Sequence, residues 1–380
     1  MSGRIFRVMI VLATMCVVVA AGGPASAAAH TYRVQLDGQP PKGEPWAFLR
    51  FFPGQQLTVD QGDVVDAAWD GTDTPHTATF IPTAHPEQWR ADHQGQGGDL
   101  SLIVPDSAVG GDDNELVLNP SVLAPTAPDC GTTAAPCPFD GSSIVNSGFQ
   151  FSDPSNEPSF FVQVTAPVGQ YSLLCLVHPG MEIALTVLPA GTDIPSPDEV
   201  AAQTASQLKQ ARQVDGEAAD AEAQHLHTSN LGGGHKLLTI HAGGFDNGVT
   251  ANEYRDKGVK LHVGDQLKVL GNFEIHTATL PKSAFDTVPF IVTQCEVPGP
   301  DTPATSPVDC AKPTDFQVAL GTKAITPTKS NKLVSPSKFV NSGLLGDPSA
   351  TFTFNAVKPG TYTLICLVHG PEMSTTVRVT

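Results

Sequence analysis

Methionine is nearly missing from this chain. Only five of its 380 residues are Met, and Met1, Met9 and Met15 sit in the N-terminal segment. Past that segment only Met181 and Met373 remain, so methionine is not used here as a general filler of cores. Basic residues are also scarce: 21 Lys and Arg stand against 38 Asp and Glu, a formal charge of −17. Nucleic acid and anionic membrane surfaces both call for a basic footprint, so this balance argues against them. It is compatible with a basic protein partner, and it also favours solubility. No apolar run beyond the N-terminus is long enough to span a bilayer. Long helical periodicity is missing outside one segment, which excludes an all-helical fold.

The N-terminus carries a basic start, MSGRIFR, then the apolar run VMIVLATMCVVVAAG and the small-residue stretch PASAAA. This pattern predicts a secretory signal peptide over 1–29, cut near Ala27 or Ala29. The expected location is extracytoplasmic: secreted, at the cell surface or in a periplasm. Loss of Cys16 with the signal leaves Cys130, Cys137, Cys175, Cys295, Cys310 and Cys366. Outside the cytoplasm such thiols tend to pair.

The rest of the chain repeats itself. LTVDQGDVVDAAW from Leu57 matches LHVGDQLKVLG from Leu261, and PHTATF (75–80) matches IHTATL (275–280). SSIVNSGFQFSDPS from Ser142 matches SKFVNSGLLGDPSA from Ser337, and VGQYSLLCLVHPGMEIALTV matches PGTYTLICLVHGPEMSTTVRV. The order is the same in both halves, so the chain reads as two copies of one domain, over 30–190 and 233–380. Short alternating or apolar runs between Gly and Pro turns predict an all-β sandwich or barrel in each. Between the copies, 191–232 reads as a helical and flexible linker. Ser196, Pro197 and Glu199 supply an N-cap, a first-turn proline and a capping-box glutamate. The apolar stripe of that helix is weak, which favours a solvated spacer over a packed element.

The two surviving methionines stand in CLVHPGM (Cys175 to Met181) and CLVHGPEM (Cys366 to Met373), beside a cysteine and a histidine. In each copy a turn after a strand would bring thiol, imidazole and thioether toward one point. The repeat supplies a fourth donor, because His76 and His276 occupy matching positions outside those stretches. The candidate metal ligands are therefore His76, Cys175, His178 and Met181, and His276, Cys366, His369 and Met373. Two His, one Cys and a weak Met form the donor set of a type 1, blue, copper site. Zinc would more readily take a second thiolate or a carboxylate. The competing bland reading, a core cysteine in a strand, has to explain the same coincidence twice.

With these residues in view, both halves resemble the cupredoxins, the type 1 copper family of plastocyanin, amicyanin and pseudoazurin. The residues that carry the resemblance are the histidine of HTAT, the G-x-Y lead-in and the Cys–His–Met block. It implies two tandem Greek-key β-sandwiches joined by the helical linker, each with one copper. It also implies that His178 and His369 lie near the surface and pass the electron, and that backbone amides bond to the cysteine sulfur. The first loop resembles that of amicyanin, and the second is one residue longer before Met373. Where many relatives carry Asn after the first histidine, this chain has Thr77 and Thr277.

Each copy also carries an insertion between its first histidine and its copper cysteine. The insertions hold Cys130 with Cys137 and Cys295 with Cys310, read as disulfides; closing a loop of about 15 residues contributes roughly 3 kcal/mol on the chain-entropy model. His225, His227, His235 and His241 form a weaker candidate metal set whose bland reading is solvated histidine. The expected function is an exported electron carrier that exchanges electrons with a redox protein. The alternatives are a copper oxidase or reductase, and copper storage or resistance. Leu174 and Ile365 precede the copper cysteines where oxidases often carry a histidine. A store would call for more Met and His than this chain has.

Overall fold

The computed structural model describes residues 29–70, 74–94, 100–108, 115–151, 158–224, 226–256, 258–295, 302–303, 310 and 316–380. Residues 1–28 of the expected signal peptide, with Cys16, and also His225 lie outside them. In the first copy one sheet runs, in spatial order, Phe51–Phe52, Thr31–Leu36, Val64–Trp69, Ser159–Val164, Cys137–Phe139. The other runs Val145–Asn146, Thr79–Ile81, Gly169–Leu174, Glu182–Leu188, Gln55–Asp60. The second copy has the sheets His227–Gly232, His235–His241, Gln266–Leu270, Thr351–Ala356, Lys332–Leu333 and Val259–Leu261, Gly370–Val379, Gly360–Cys366, Thr279–Leu280, Val340–Asn341. Both mix parallel and antiparallel neighbours in the same pattern: Thr31–Leu36 lies parallel to Val64–Trp69, as His235–His241 does to Gln266–Leu270. Each copy is thus a sandwich of two five-stranded β-sheets, as expected.

The alternation seen in the sequence places one face of each strand inside. Leu57, Val59, Val65, Leu173, Leu185 and Val187 fill the first core; Leu267, Val269, Phe354, Leu364 and Val377 fill the second. The shared Gly-Asp turn has a physical basis. Gly62 and Gly264 take φ of 104° and 98°, a conformation that disfavours a Cβ. The next residue, Asp63 or Asp265, accepts from the backbone N–H of Asp60 at 2.8 Å or of His262 at 2.7 Å. Buried Tyr171 and Tyr362 of the G-x-Y lead-in donate to the carbonyls of Pro167 and Lys358, each at 2.9 Å.

The VNSG repeat ties each insertion to its HTAT segment. Asn146 Nδ2 donates to the carbonyl of Ala124 at 3.2 Å, while its Oδ1 accepts from Thr79 Oγ1 at 2.9 Å. Asn341 does the same with Ala324, at 2.7 Å, and Thr279, at 2.7 Å. Ser147 and Ser342 accept from the N–H of Ala78 and Ala278.

The linker departs from the solvated spacer expected of it. It forms helices Pro197–Gln210 and Gly216–Ala223 around a π turn, Ala211–Asp215, and the Ser196–Glu199 capping box is present. Leu208, Ala211, Ala219 and Ala223 pack with Trp46, Phe48 and Phe52 of the first copy and Val249 and Ala251 of the second. Small residues make this possible. A Cβ on Gly216 would lie 2.4 Å from the Trp46 ring, and one on Gly244 only 1.8 Å from the Ala219 carbonyl. An alanine-rich face therefore buries by close approach rather than by bulk, and a search for large apolar residues overlooks it. The strand His227–Gly232, inside the 191–232 segment, joins the second copy's sheet.

Further contacts join the copies. Trp46–Phe48 pairs antiparallel with Val249–Ala251. The insertions form one shared sheet, where Leu116–Leu118 of the first meets Phe316–Leu320 of the second at Val117 and Ala319. Asp220 accepts from the Trp46 indole at 2.9 Å and pairs with Arg255, which also reaches Glu44 at 3.0 Å. Asp215, buried, pairs with Arg50 at 2.7 Å.

Candidate metal centres

Each copy brings its donors together at one end of the sandwich. His76 precedes the strand Thr79–Ile81 and is pinned by paired backbone hydrogen bonds with Gln150, at 2.8 and 3.0 Å. Cys175 follows the strand Gly169–Leu174, and its N–H donates to the Met181 carbonyl at 2.9 Å, which closes the loop that carries His178. The result places Cys175 Sγ 3.9 Å from His76 Nδ1 and 3.8 Å from His178 Nδ1, with the two ring nitrogens 3.1 Å apart. Met181, also buried, packs in the same apolar cluster as Cys175. In the second copy His276 Nδ1 and His369 Nδ1 are 3.1 Å apart and Cys366 Sγ is 3.6 Å from His369 Nδ1. Met373 packs in the cluster of Cys366. Six of the eight sequence-predicted residues therefore fall into two groups, His76, Cys175 and His178 in one copy and His276, Cys366 and His369 in the other, while Met181 and Met373 are placed only within the surrounding cores. Two imidazole nitrogens and a sulfur, turned toward one another in a buried space, suit a soft metal that accepts both N and S donors.

The two threonines replace the expected asparagine. Thr77 and Thr277 each donate a backbone N–H to the cysteine sulfur at 3.4 Å. Their hydroxyls accept the N–H of the residue after the cysteine, Leu176 or Leu367, at 2.8 Å. The His strand is thereby stapled to the Cys strand on both sides of the donor set, which fixes the sulfur's position before any metal binds. Burial would push both thiols up, but bonding to His178 and His76 holds Cys175 well below the ordinary thiol range, and His369 holds Cys366 below it. Both shifts favour the thiolate, the form that ligates metal.

Around this shared core the copies differ. The left-handed residue Asp37 (φ 65°) places Oδ2 3.6 Å from His76 Nε2. Burial lowers the affinity of His76 for a proton, but Asp37 and Cys175 outweigh it and raise its pKa to about 9. The strand register aligns Gln35–Ala68 with His241–Leu270, so the second copy's counterpart of Asp37 is Gly243, also left-handed (φ 78°). Among the described residues neither His76 Nε2 nor His276 Nε2 has a hydrogen-bond partner, so the copies differ here in the carboxylate 3.6 Å from His76 rather than in a hydrogen bond. Burial and the nearby His369 hold the pKa of His276 well below the usual imidazole value. Half-buried Arg90 donates from Nη2 to the Cys175 carbonyl at 2.6 Å, whereas Phe285 packs against Gly370 in the second copy. His178 is only 6% exposed, against the surface position expected of it, while His369 is half-buried as expected. Glu274 of the other domain lies against His178, with Oε2 3.5 Å from its Nε2.

Asp37, Glu274, Arg90, Asn146 and Asn341 were not singled out from the sequence as site residues. For the two asparagines the VNSG repeat was the available signal. Among the described residues, the His/Cys/carboxylate groups placed to hold a metal are these two. His235 instead lies 3.8 Å from Asp265, and His227 is exposed on its strand. Cys130–Cys137 and Cys295–Cys310 are disulfides, across separations of 7 and 15 residues.

No family model matches the sequence, and no curated protein does. Solved structures give remote likenesses. An auracyanin from Roseiflexus castenholzii covers 44% of this chain and 100% of its own at 17% identity and a TM-score of 0.24. Plastocyanin from Dryopteris crassirhizoma covers 41% and 99% at 20% identity and 0.19. A copper-containing nitrite reductase from Thermus scotoductus covers 92% of this chain and 68% of its own at 12% identity and 0.20.

Proposed function

We propose that the chain is an extracytoplasmic electron-transfer protein with two type 1 copper centres. The observation that carries this reading is the donor set itself: two imidazoles and a thiol of lowered pKa converge in each copy, and Met181 and Met373 lie buried in the same hydrophobic cores as the two sulfurs. Copper, when bound, would supply one-electron chemistry between Cu(I) and Cu(II). His76, Cys175, His178 and Met181 would hold one ion, and His276, Cys366, His369 and Met373 the other. The residues around them do what rapid electron exchange needs. Threonine staples limit ligand movement between valences, and the buried apolar setting of the cysteines excludes water and other ligands. Half-buried His369 would be the port to an external redox protein, and the acidic surface suits a basic one.

The test is aerobic spectroscopy of the purified full chain with copper analysis, followed by oxygen uptake in the presence of a reductant. A carrier gives two coppers, a strong thiolate-to-copper band that bleaches on reduction, and slow oxygen consumption. Fast turnover of oxygen would instead establish an oxidase, and firm binding of copper that does not cycle would establish a store.

A further inference from the structure

His178 is the edge through which the first centre should meet the outside, yet Glu274 of domain 2 lies against it. Its Oε2 lies 3.5 Å from His178 Nε2, and both side chains are about nine-tenths buried, at 8% and 10% exposure. Among the described residues that oxygen is buried with no hydrogen-bond partner. The other oxygen of the same carboxylate, Oε1, accepts the N–H of Ile275 at 3.1 Å. The next residue is His276, a donor of the second centre. Glu274 N–H is itself held by Asn272 Oδ1 at 2.7 Å, and Asn272 Nδ2 by the Gly244 carbonyl at 3.4 Å. The backbone that carries the carboxylate is thus tied, through Asn272, to Gly244 of the interdomain sheet.

We propose that Glu274 is an electron bridge between the two centres, and that the first centre exchanges electrons with the outside through the second. The inference rests on the copper reading above. Tunnelling falls off steeply with distance, and far less steeply along bonds and short polar contacts than across a gap. From His178 Nε2 one contact reaches the carboxylate, and a covalent run or the Oε1–Ile275 hydrogen bond leads to His276. Glu274 is present only in the second copy; the position matched by the HTAT repeat in the first is Thr74. The bridge is thus a feature of the pair, not of the domain. With copper held in both centres, His369 would be the entry for an electron from an external redox protein, and the His178–Glu274–His276 path would relay that electron from the second centre to the first. The electron the external protein gives up would be the one the first centre gains, with no proton or bond exchanged.

The experiment is pulsed one-electron reduction of the fully copper-loaded chain, read by the two centres' absorbance and paramagnetic signals. The expected result is a fast phase at one centre, proportional to protein concentration, followed by a concentration-independent transfer to the other. C366S, which leaves only the first centre, should then reduce slowly with a bulky external reductant, and C175S should reduce fast. Glu274→Ala should slow the internal phase by about ten-fold or more, with two coppers still bound and the colour retained. Glu274→Gln keeps the shape of the side chain and its oxygen toward Ile275, and should stay within a few-fold of wild type. Independent reduction of both centres at similar second-order rates in the wild type would overturn the bridge while leaving the two-copper reading intact. An internal phase unchanged in E274A, or lost equally in E274Q, would also overturn it. Absence of bound, coloured copper in the wild type would instead sink the earlier reading.

Discussion

The two halves of this chain place one donor set in two different settings. Around His76 the left-handed corner of the sheet carries Asp37; around His276 the same corner is Gly243. His178 has Glu274 of the neighbouring domain against it, and His369 is half-open to solvent. The ligands and their threonine staples are common to both copies, while charge and access differ. A duplicated site can thus keep its chemistry and divide its tasks through the residues that surround the ligands.

The sharpest way to break the comparison is to remove one sulfur at a time. Cys175→Ser and Cys366→Ser should each abolish one centre's thiolate band and leave about half of the total absorbance. A single substitution that bleached all colour would mean one shared site. The disulfides separate the copies next. On loop length, loss of Cys295–Cys310 should cost about 3 kcal/mol and loss of Cys130–Cys137 about 2.5 kcal/mol, measured by denaturant titration. The asparagines test what the copies share. Asn146→Ala and Asn341→Ala each remove the amide acceptor of a buried threonine hydroxyl and the donor to several carbonyls, and each should cost about 2 kcal/mol. The smallest effect should fall on one copy alone. Asp37→Asn keeps an oxygen for the N–H groups of Gly38 and Phe48 but removes the charge facing His76. It should weaken Cu(II) binding at the first centre by about ten-fold, equivalent to about 1.4 kcal/mol, and raise that centre's reduction potential. The second centre should not change, as metal titration and spectroelectrochemistry would show.

What could be read in advance follows from the same comparison. The two His–Cys–His groups were legible because the duplication presents each of their residues twice, and the scarcity of methionine drew attention to the loops that carry Cys175 and Cys366. The sandwich fold was legible from alternation and from the Gly-Asp turns. Asp37 and Glu274 were not, since their counterparts are Gly243 and Thr74: a search that keeps what the copies share discards what sets them apart. The packed linker was missed for a different reason. Its contacts depend on Gly216 lying against Trp46 and Gly244 against Ala219, where small size rather than hydrophobicity permits burial. The sheet shared between the insertions joins short strands distant in sequence, and no local pattern announces such pairing.

One measurement bears most directly on the central claim: copper stoichiometry of the purified chain taken together with its visible and electron paramagnetic resonance spectra. The account predicts two coppers per chain, an intense blue-type absorption from cysteine sulfur, and full, reversible bleaching on one-electron reduction of each. A metallated protein without that absorption, or one that binds zinc in preference to copper at both sites, would contradict it.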